Sequence, residues 1–227
     1  MSIKNDLIES VSSFEDIYAK GYNKSYPSIE LVRISSKLNL PKKSKILDFG
    51  CGPGTNGIHF LNKQNRLFFA DISENALKLV KSKINKKNLL NTSFNHIDPT
   101  LDKLPFEDNF FDLIICMSVY NNFVNRKYAN QMLNEFNRVL NKKAFLILDF
   151  NLKENNYKNI KSLKNNIKKT IPNDSTDKQI SMYFPTSNKS VINDLKKNSF
   201  KILDIGYSHW KIFDNFEHES IITSQKI

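Results

Sequence analysis

Glycine is scarce in this chain, with six residues among 227, and alanine is scarcer still at five. Arginine supplies only four of the 34 basic residues. The two cysteines, Cys51 and Cys116, are too few for a disulfide framework or, by themselves, a zinc site. His59, His96 and His218 show no metal-ligand spacing. Long apolar runs are also missing. The longest, Phe110 to Met117, is broken by Asp112, far short of the ~20 apolar residues a spanning helix needs. The N-terminus, MSIKNDLIESV, carries acids where a signal peptide would be apolar. A cytoplasmic protein with no membrane partner is expected.

The shortage of arginine bears on the net charge of +11. Thirty of the basic residues are lysine, and asparagine is also present 30 times. Arginine is the residue suited to bidentate phosphate grips and base stacking. Its shortage favours a lysine-rich solvated surface over a polyanion site. What is present is ordinary for a folded domain: 40% hydrophobic and 25% charged residues, which excludes wholesale disorder. The length suits a single domain.

Residues 1–24 read as a helix with an aromatic stripe, Phe14, Tyr18 and Tyr22, that Gly21 weakens at its end. Pro27 opens a second helix, Ser28 to Leu40. Together they form an N-terminal helical cap over 1–40, its stripe open between core and lid. From Lys45 the pattern changes to strand-helix alternation. Strands are expected at Lys45–Phe49, Leu67–Asp71, Thr92–Ile97, Phe111–Met117 and Ala144–Phe150. Helices fall between them at Thr55–Asn62, after Ser73, and at Arg126–Leu140. Such alternation predicts an α/β fold, Rossmann-like and doubly wound, with a mostly parallel sheet and helices on both faces. Residues 151–181 are polar, with six lysines between Lys153 and Lys169. They read as a solvated helix face or as part of a substrate cap over 151–190. Helix Ser187–Asn198 precedes strands Phe200–Ile205 and Ser220–Ser224, whose short connection predicts an antiparallel C-terminal pair within 200–227.

Four of the six glycines, Gly50, Gly52, Gly54 and Gly57, fall within eight residues directly after the first strand. Glycine clusters where backbone must bend sharply or approach a ligand closely. In open parallel sheets the ligand crevice lies at the carboxyl ends of the strands. The bland alternative is a tight turn without a ligand. Gly52-Pro-Gly54-Thr-Asn-Gly57 fits the dinucleotide fingerprint, and Asp71 follows near the expected distance. Against that reading, Gly50 already follows the strand, and Pro53 removes an N–H that could face a pyrophosphate.

The run Ile46-Leu-Asp-Phe-Gly-Cys-Gly-Pro-Gly54 resembles the first motif of the class I S-adenosylmethionine-dependent methyltransferases. Phe69-Ala-Asp71-Ile-Ser73 resembles that family's second strand with its ribose-binding acid. Leu104-Pro-Phe-Glu-Asp-Asn-Phe-Phe-Asp112-Leu-Ile and Glu135-Phe-Asn-Arg138-Val-Leu140 resemble the segments flanking its fourth strand. The likeness covers residues 44–150, the cofactor-binding core, and implies one methyltransferase domain over 1–227 using S-adenosylmethionine. It implies cofactor contacts from Gly50, Cys51 and Gly52 of the loop, from Asp48 ordering it, and from Asp71 toward the ribose. Ile72 and Ile97 would flank the adenine and Asp98 would accept from its amino group, with Asp102 a second candidate. Cys116 would put backbone beside the methionine part, and Tyr26 would cover the cofactor from the N-terminal helices.

A catalytic constellation is not evident, and no catalytic residue is assigned. Substrate contacts are expected from Tyr22, from Tyr120, Asn121 and Asn122 after the fourth strand, and from His209 and Trp210 between the last strands. The Asn-Pro-Pro-aromatic signature of nucleic-acid amino methyltransferases is absent. The expected acceptor is a small metabolite or sugar, methylated on oxygen or nitrogen. An RNA methyltransferase is the alternative, and an NAD-type oxidoreductase or a non-enzymatic scaffold stands behind it.

Overall fold

The computed structural model describes residues 3–61, 64–152, 158–162, 166–172, 176–212 and 215–227. The alternation after residue 44 folds as five parallel strands: β1 (Lys45–Phe49), β2 (Arg66–Asp71), β3 (Thr92–His96), β4 (Phe111–Cys116) and β5 (Leu140–Phe150). Two further strands, β9 (Phe200–Ile212) and β10 (Asn215–Lys226), complete a seven-stranded sheet in the order β3-β2-β1-β4-β5-β10-β9. β10 runs antiparallel to both β5 and β9, as the short connection implied. The order reverses beside β1, so the crevice opens between the ends of β1 and β4. Cys51, just after β1, and Cys116, the last residue of β4, therefore lie at the same end of neighbouring strands, which pair at Asp48↔Ile115.

The helices are α1 (Ile3–Ala19), α2 (Ile29–Ser35), α3 (Thr55–Ile58), α4 (Glu74–Lys83), α5 (Lys86–Leu89), α6 (Arg126–Val139) and α7 (Asn188–Lys197). They cover both faces. Leu133 and Phe136 of α6 and Val191 and Leu195 of α7 pack with Leu47, Ile114 and Leu148 of the sheet. Leu31 of α2 and Leu77 and Val80 of α4 pack on the other face with Ile46, Leu113 and Ile115. Alternate residues of β1 and β4 thus serve opposite cores, which is why these strands read as continuous apolar runs. Side chains cap the helices: Ser73 Oγ accepts from Ala76 N–H at 3.1 Å and Asn125 Oδ1 from Tyr128 N–H at 2.9 Å.

The segment entering β4 is fixed by α6. Glu135 Oε2 accepts from Leu104 N–H at 2.8 Å, while Arg138 donates to the carbonyls of Leu104 and Phe106 and to Asp108. The two resembling motifs around the fourth strand are therefore one structural clasp.

Several elements differ from expectation. The first helix ends at Ala19, where Gly21 takes a φ of 89°, rather than at residue 24. The second is a short helix ending at Ser35, and the third ends at Ile58, with Asn62 outside the described residues. The polar stretch after β5 holds no helix among its described residues. It forms a three-stranded antiparallel sheet of β6 (Lys158–Ser162), β7 (Ile167–Ile171) and β8 (Ile180–Tyr183). Ile180 and Met182 of β8 bury against Phe14 of α1, which anchors the lysine-bearing β6 and β7 to the body of the protein through an apolar third strand. Lys153 and Lys164 lie outside the described residues. The last two strands are far longer than their apolar cores, because the hairpin continues past the sheet.

Candidate functional site

The glycine loop leaves β1 at Phe49 and turns back against β2. Gly50 and Gly52 have φ of 64° and 49°, in the region that favours glycine. A Cβ at Gly50 would lie 2.4 Å from Val119, and one at Gly52 would lie 2.5 Å from the Tyr18 hydroxyl. Both positions therefore need glycine for conformation and for room. Two buried carboxylates hold the loop. Asp48 Oδ2 accepts from Gly57 N–H at 2.8 Å. Asp71 Oδ2 accepts from Gly52 N–H at 2.8 Å, and its Oδ1 from Ser73 N–H at 2.9 Å. Burial raises the Asp48 carboxyl to about 7 and the Asp71 carboxyl to about 6.

Above the loop lies a cavity of about 100 Å³. Gly50, Ala70 and Asp71 form its floor, and Ile72, Ile97 and Pro99 its wall on the β3 side. Ser118, Val119, Asn122 and Phe123, after β4, form the opposite wall. α1 is the roof, through Leu7, Ser10, Phe14 and Tyr18. Phe14 and Tyr18 of the aromatic stripe therefore line this cavity, and Phe14 also packs on β8, while Tyr22 stands outside the lining. Burial, with Asp71 nearby, pushes the Tyr18 phenol far above its ordinary value, so it stays neutral. Ser118 holds a φ of 59°, and its N–H donates to Asp149.

Gly50, Asp71, Ile72 and Ile97 thus meet around one cavity, as does Asn122. Gly52 sits beneath Tyr18, and Asp48 lies buried behind the loop. The Cys51 and Cys116 side chains are buried in the cores on opposite faces, while their backbone, the part expected beside the cofactor, lies at the crevice end of β1 and β4. Other expected residues stand elsewhere. Asp98 is exposed, its Oδ1 accepting from Thr100 N–H and Oγ1–H in an Asx turn. Asp102 is exposed and accepts from Gln131. Tyr22 packs edge-to-face on Tyr18 at 5.9 Å, while Tyr26 is 66% exposed with the Lys24 ammonium over its ring. Tyr120 is wholly buried in the core and its hydroxyl has no hydrogen-bond partner. Asn121 is also buried, donating to the carbonyls of Asn151 and Tyr183 and so tying β5 to β8. His209 and Trp210 are not between the last strands but inside β9, opposite His218 and Glu217.

The roof residues Leu7 and Ser10 and the wall residues Ser118, Val119 and Phe123 were not expected as site residues. Ser118 and Val119 immediately precede the expected Tyr120, and only the direction of each side chain separated them. Apart from Asp71, the polar groups lining the cavity are hydroxyls and one amide, from Ser10, Tyr18, Ser118, Asn122 and Tyr128.

Residues 46–143 match the family described as a methyltransferase domain. A ubiquinone/menaquinone biosynthesis C-methyltransferase of Shewanella is 29% identical over 110 residues, which are 47% of this chain and 42% of that protein. The chain spans about half the length of the curated relatives it matches. A solved S-adenosylmethionine-dependent methyltransferase of Methanosarcina mazei superposes with a TM-score of 0.67 at 18% identity, covering 86% of this chain and 97% of that one. The 1,6-didemethyltoxoflavin-N1-methyltransferase of Burkholderia thailandensis, solved with its acceptor and S-adenosylhomocysteine, also gives 0.67, at 12% identity, covering 98% and 86%. At such identities the likeness to the solved structures is one of fold.

Proposed function

We propose, from the premise that residues 46–143 are a methyltransferase domain of the class I S-adenosylmethionine-dependent family, that this protein methylates a small organic acceptor. The observation that carries the reading is one lidded cavity that meets the glycine loop, the Asp71 carboxylate and the Ile72–Ile97 wall together. These residues fit the cofactor. Gly50 and Gly52 let the loop pass close beneath Val119 and Tyr18, where a Cβ would collide with those side chains, and Gly50 puts bare backbone on the cavity surface, against which an amino-acid moiety can lie. Asp71 offers a carboxylate to paired ribose hydroxyls, and Ile72 and Ile97 offer apolar faces to a purine. When bound, S-adenosylmethionine supplies an electrophilic methyl group on a sulfonium.

The chain's own contribution is to bind, orient and exclude water. α1 closes over the cavity, and holding nucleophile, methyl and sulfur in line supplies much of the acceleration. Among the described residues, no histidine, lysine or arginine lines the cavity. Tyr18 and Tyr128 are held neutral by burial. In this reading Asp71 is occupied by the ribose. The acceptor therefore brings its own nucleophile, such as a neutral amine or an atom already acidic enough to ionise at neutral pH. The apolar walls, Phe14, Val119 and Phe123 among them, favour a compact, largely uncharged molecule. The Burkholderia enzyme was solved with 1,6-didemethyltoxoflavin bound, and the Shewanella relative is named for ubiquinone and menaquinone biosynthesis.

The test is S-adenosylhomocysteine release, measured across a panel of amines, phenols and heterocycles, with total RNA as the competing acceptor. Turnover with at least one small acceptor, unaffected by RNA, is expected. Methyl label found only in RNA would overturn the choice of acceptor, and no binding of S-adenosylmethionine by calorimetry would overturn the reading itself.

A further inference from the structure

The β9–β10 hairpin overhangs the sheet. β10 pairs with β5 only from Ser220 to Gln225. Residues Asn215 to Glu219 pair with Ser208 to Ile212 alone. The overhang is thus a two-stranded ribbon, which is marginal in water and depends on its cross-strand side-chain pairs. In the middle of it His209 and His218 stand directly opposite each other. Their Nδ1 atoms are 3.1 Å apart and their rings are exposed. Tyr207 packs its ring 6.3 Å from His218 on the same face, and its hydroxyl accepts from Asn188. The opposite face of the ribbon is engaged separately, through Ser208 Oγ–H donating to Glu30 of α2 at 2.9 Å.

We propose that His209 and His218 form a two-imidazole chelate for a borderline divalent ion such as Cu²⁺, Ni²⁺ or Zn²⁺, which clamps the overhanging ribbon. The geometry carries the proposal. At a metal–nitrogen distance of about 2.0–2.1 Å, two ligands on one tetrahedral ion stand about 3.3–3.4 Å apart, and two adjacent ligands on a square-planar ion about 2.9 Å. The 3.1 Å separation lies between the two. Without an ion, the two Nδ1 atoms face each other at hydrogen-bond distance, one proton between them. With an ion, that proton sits on Nε2, which faces water, and both Nδ1 lone pairs turn to the metal. The strands already fix both Cα atoms, so little ordering is needed on binding. Lys211 shares the face two positions beyond His209, and its exposed, flexible stem lets the ammonium stay in water. The site lies on the edge of the sheet, away from the lidded cavity, and does not rest on methyl transfer.

The experiment uses the tag-free chain. Titration with Ni²⁺ followed by calorimetry, and with Cu²⁺ followed by electron paramagnetic resonance, should give one ion per chain and coupling to two nitrogens. His209→Ala and His218→Ala should each weaken Ni²⁺ binding at least about tenfold. Both positions are exposed, and circular dichroism checks that the variants fold; His218→Gln is the second variant. Ni²⁺ should raise the unfolding midpoint of the wild type and not that of the variants. Equal Ni²⁺ affinity in wild type and variants, or coupling to a single nitrogen, would overturn the proposal.

Discussion

Asp48 and Asp71 are both buried against the glycine loop, and neither has a cationic partner among the described residues. Both carboxyls sit above the ordinary value of 3.8, at about 7 and about 6. Between about pH 4 and pH 7 the unfolded chain has lost these protons while the folded chain still holds them. The ligand-free protein therefore loses stability as pH rises through that window and levels off above it. Its unfolding midpoint should be lower at pH 7.5 than at pH 5, and Asp48→Asn should flatten the difference; a midpoint that rises across this range contradicts the account. S-adenosylmethionine carries an ammonium and a sulfonium, so its binding should tighten over the same window. Asp71 also supports the loop directly. Asp71→Ala leaves Gly52 N–H and Ser73 N–H without their acceptor. It should lower stability by about 1–3 kcal/mol and weaken S-adenosylmethionine ten- to a hundredfold, since about 1.4 kcal/mol is tenfold. Calorimetry on Asp71→Ala and Asp71→Asn checks both effects, with Asn intermediate. An affinity unchanged in Asp71→Ala would remove the ribose assignment.

At the scale of elements, α1 is the part on which access to the cavity depends. On one side Glu15 accepts from the N–H groups of Glu74 and Asn75, capping α4 from another helix. On the other side α1 is fastened to the small sheet. Ser181 Oγ–H donates to Asp6, Thr176 Oγ1–H donates to Asp16, and Lys169 pairs with Glu9. The last of these is a partly exposed ion pair and contributes little by itself. Glu15 is different, because a carboxylate at a helix N-terminus contributes about 0.3–1 kcal/mol. Glu15→Ala should raise the dissociation rate of S-adenosylmethionine by up to about fivefold, read by stopped-flow, with the fold intact. A rate equal to that of the wild type would mean that α1 does not gate the cavity. This lid was half legible. The spacing of Phe14 and Tyr18 marks one face of α1, but only the fold says that this face looks onto the cavity and the glycine loop and that Tyr22 lies beyond the helix end at Ala19. Tyr120, Asn121 and Asn122 lie in a single 3₁₀ turn. The first two turn into the protein and the third toward the cavity, a distinction that residue types alone do not carry. The small sheet is hidden in the sequence because β6 and β7 carry two lysines each, a residue depleted in strands, and β8 is only four residues long. The parallel core is legible because its central strands β1 and β4 are apolar on both faces and its loop gathers most of the chain's few glycines in one place.

At the scale of the whole molecule, the net charge of +11 is a property of the surface. Within the lysine-rich stretch, Lys169 is engaged with Glu9, and the Lys168 ammonium lies 5.2 Å from the centre of the Phe184 ring. Among the described residues no cation lines the cavity itself. Salt therefore separates two consequences of the charge. Association with a polyanion releases counterions. Six to ten phosphate contacts would weaken it by about 10³–10⁵ between 50 and 200 mM salt. Chemistry in a lidded, apolar cavity is screened far less, because the Debye length of about 8–10 Å applies to exposed charges. Any retention on heparin or RNA should thus disappear by about 200 mM KCl, while the initial rate of S-adenosylhomocysteine release with a small acceptor changes by less than about twofold. Measuring both across the same KCl series decides the matter. A rate that falls with salt as steeply as the retention would mean that the acceptor is held through its negative charge, and a polyanion would then replace the small uncharged molecule as the substrate.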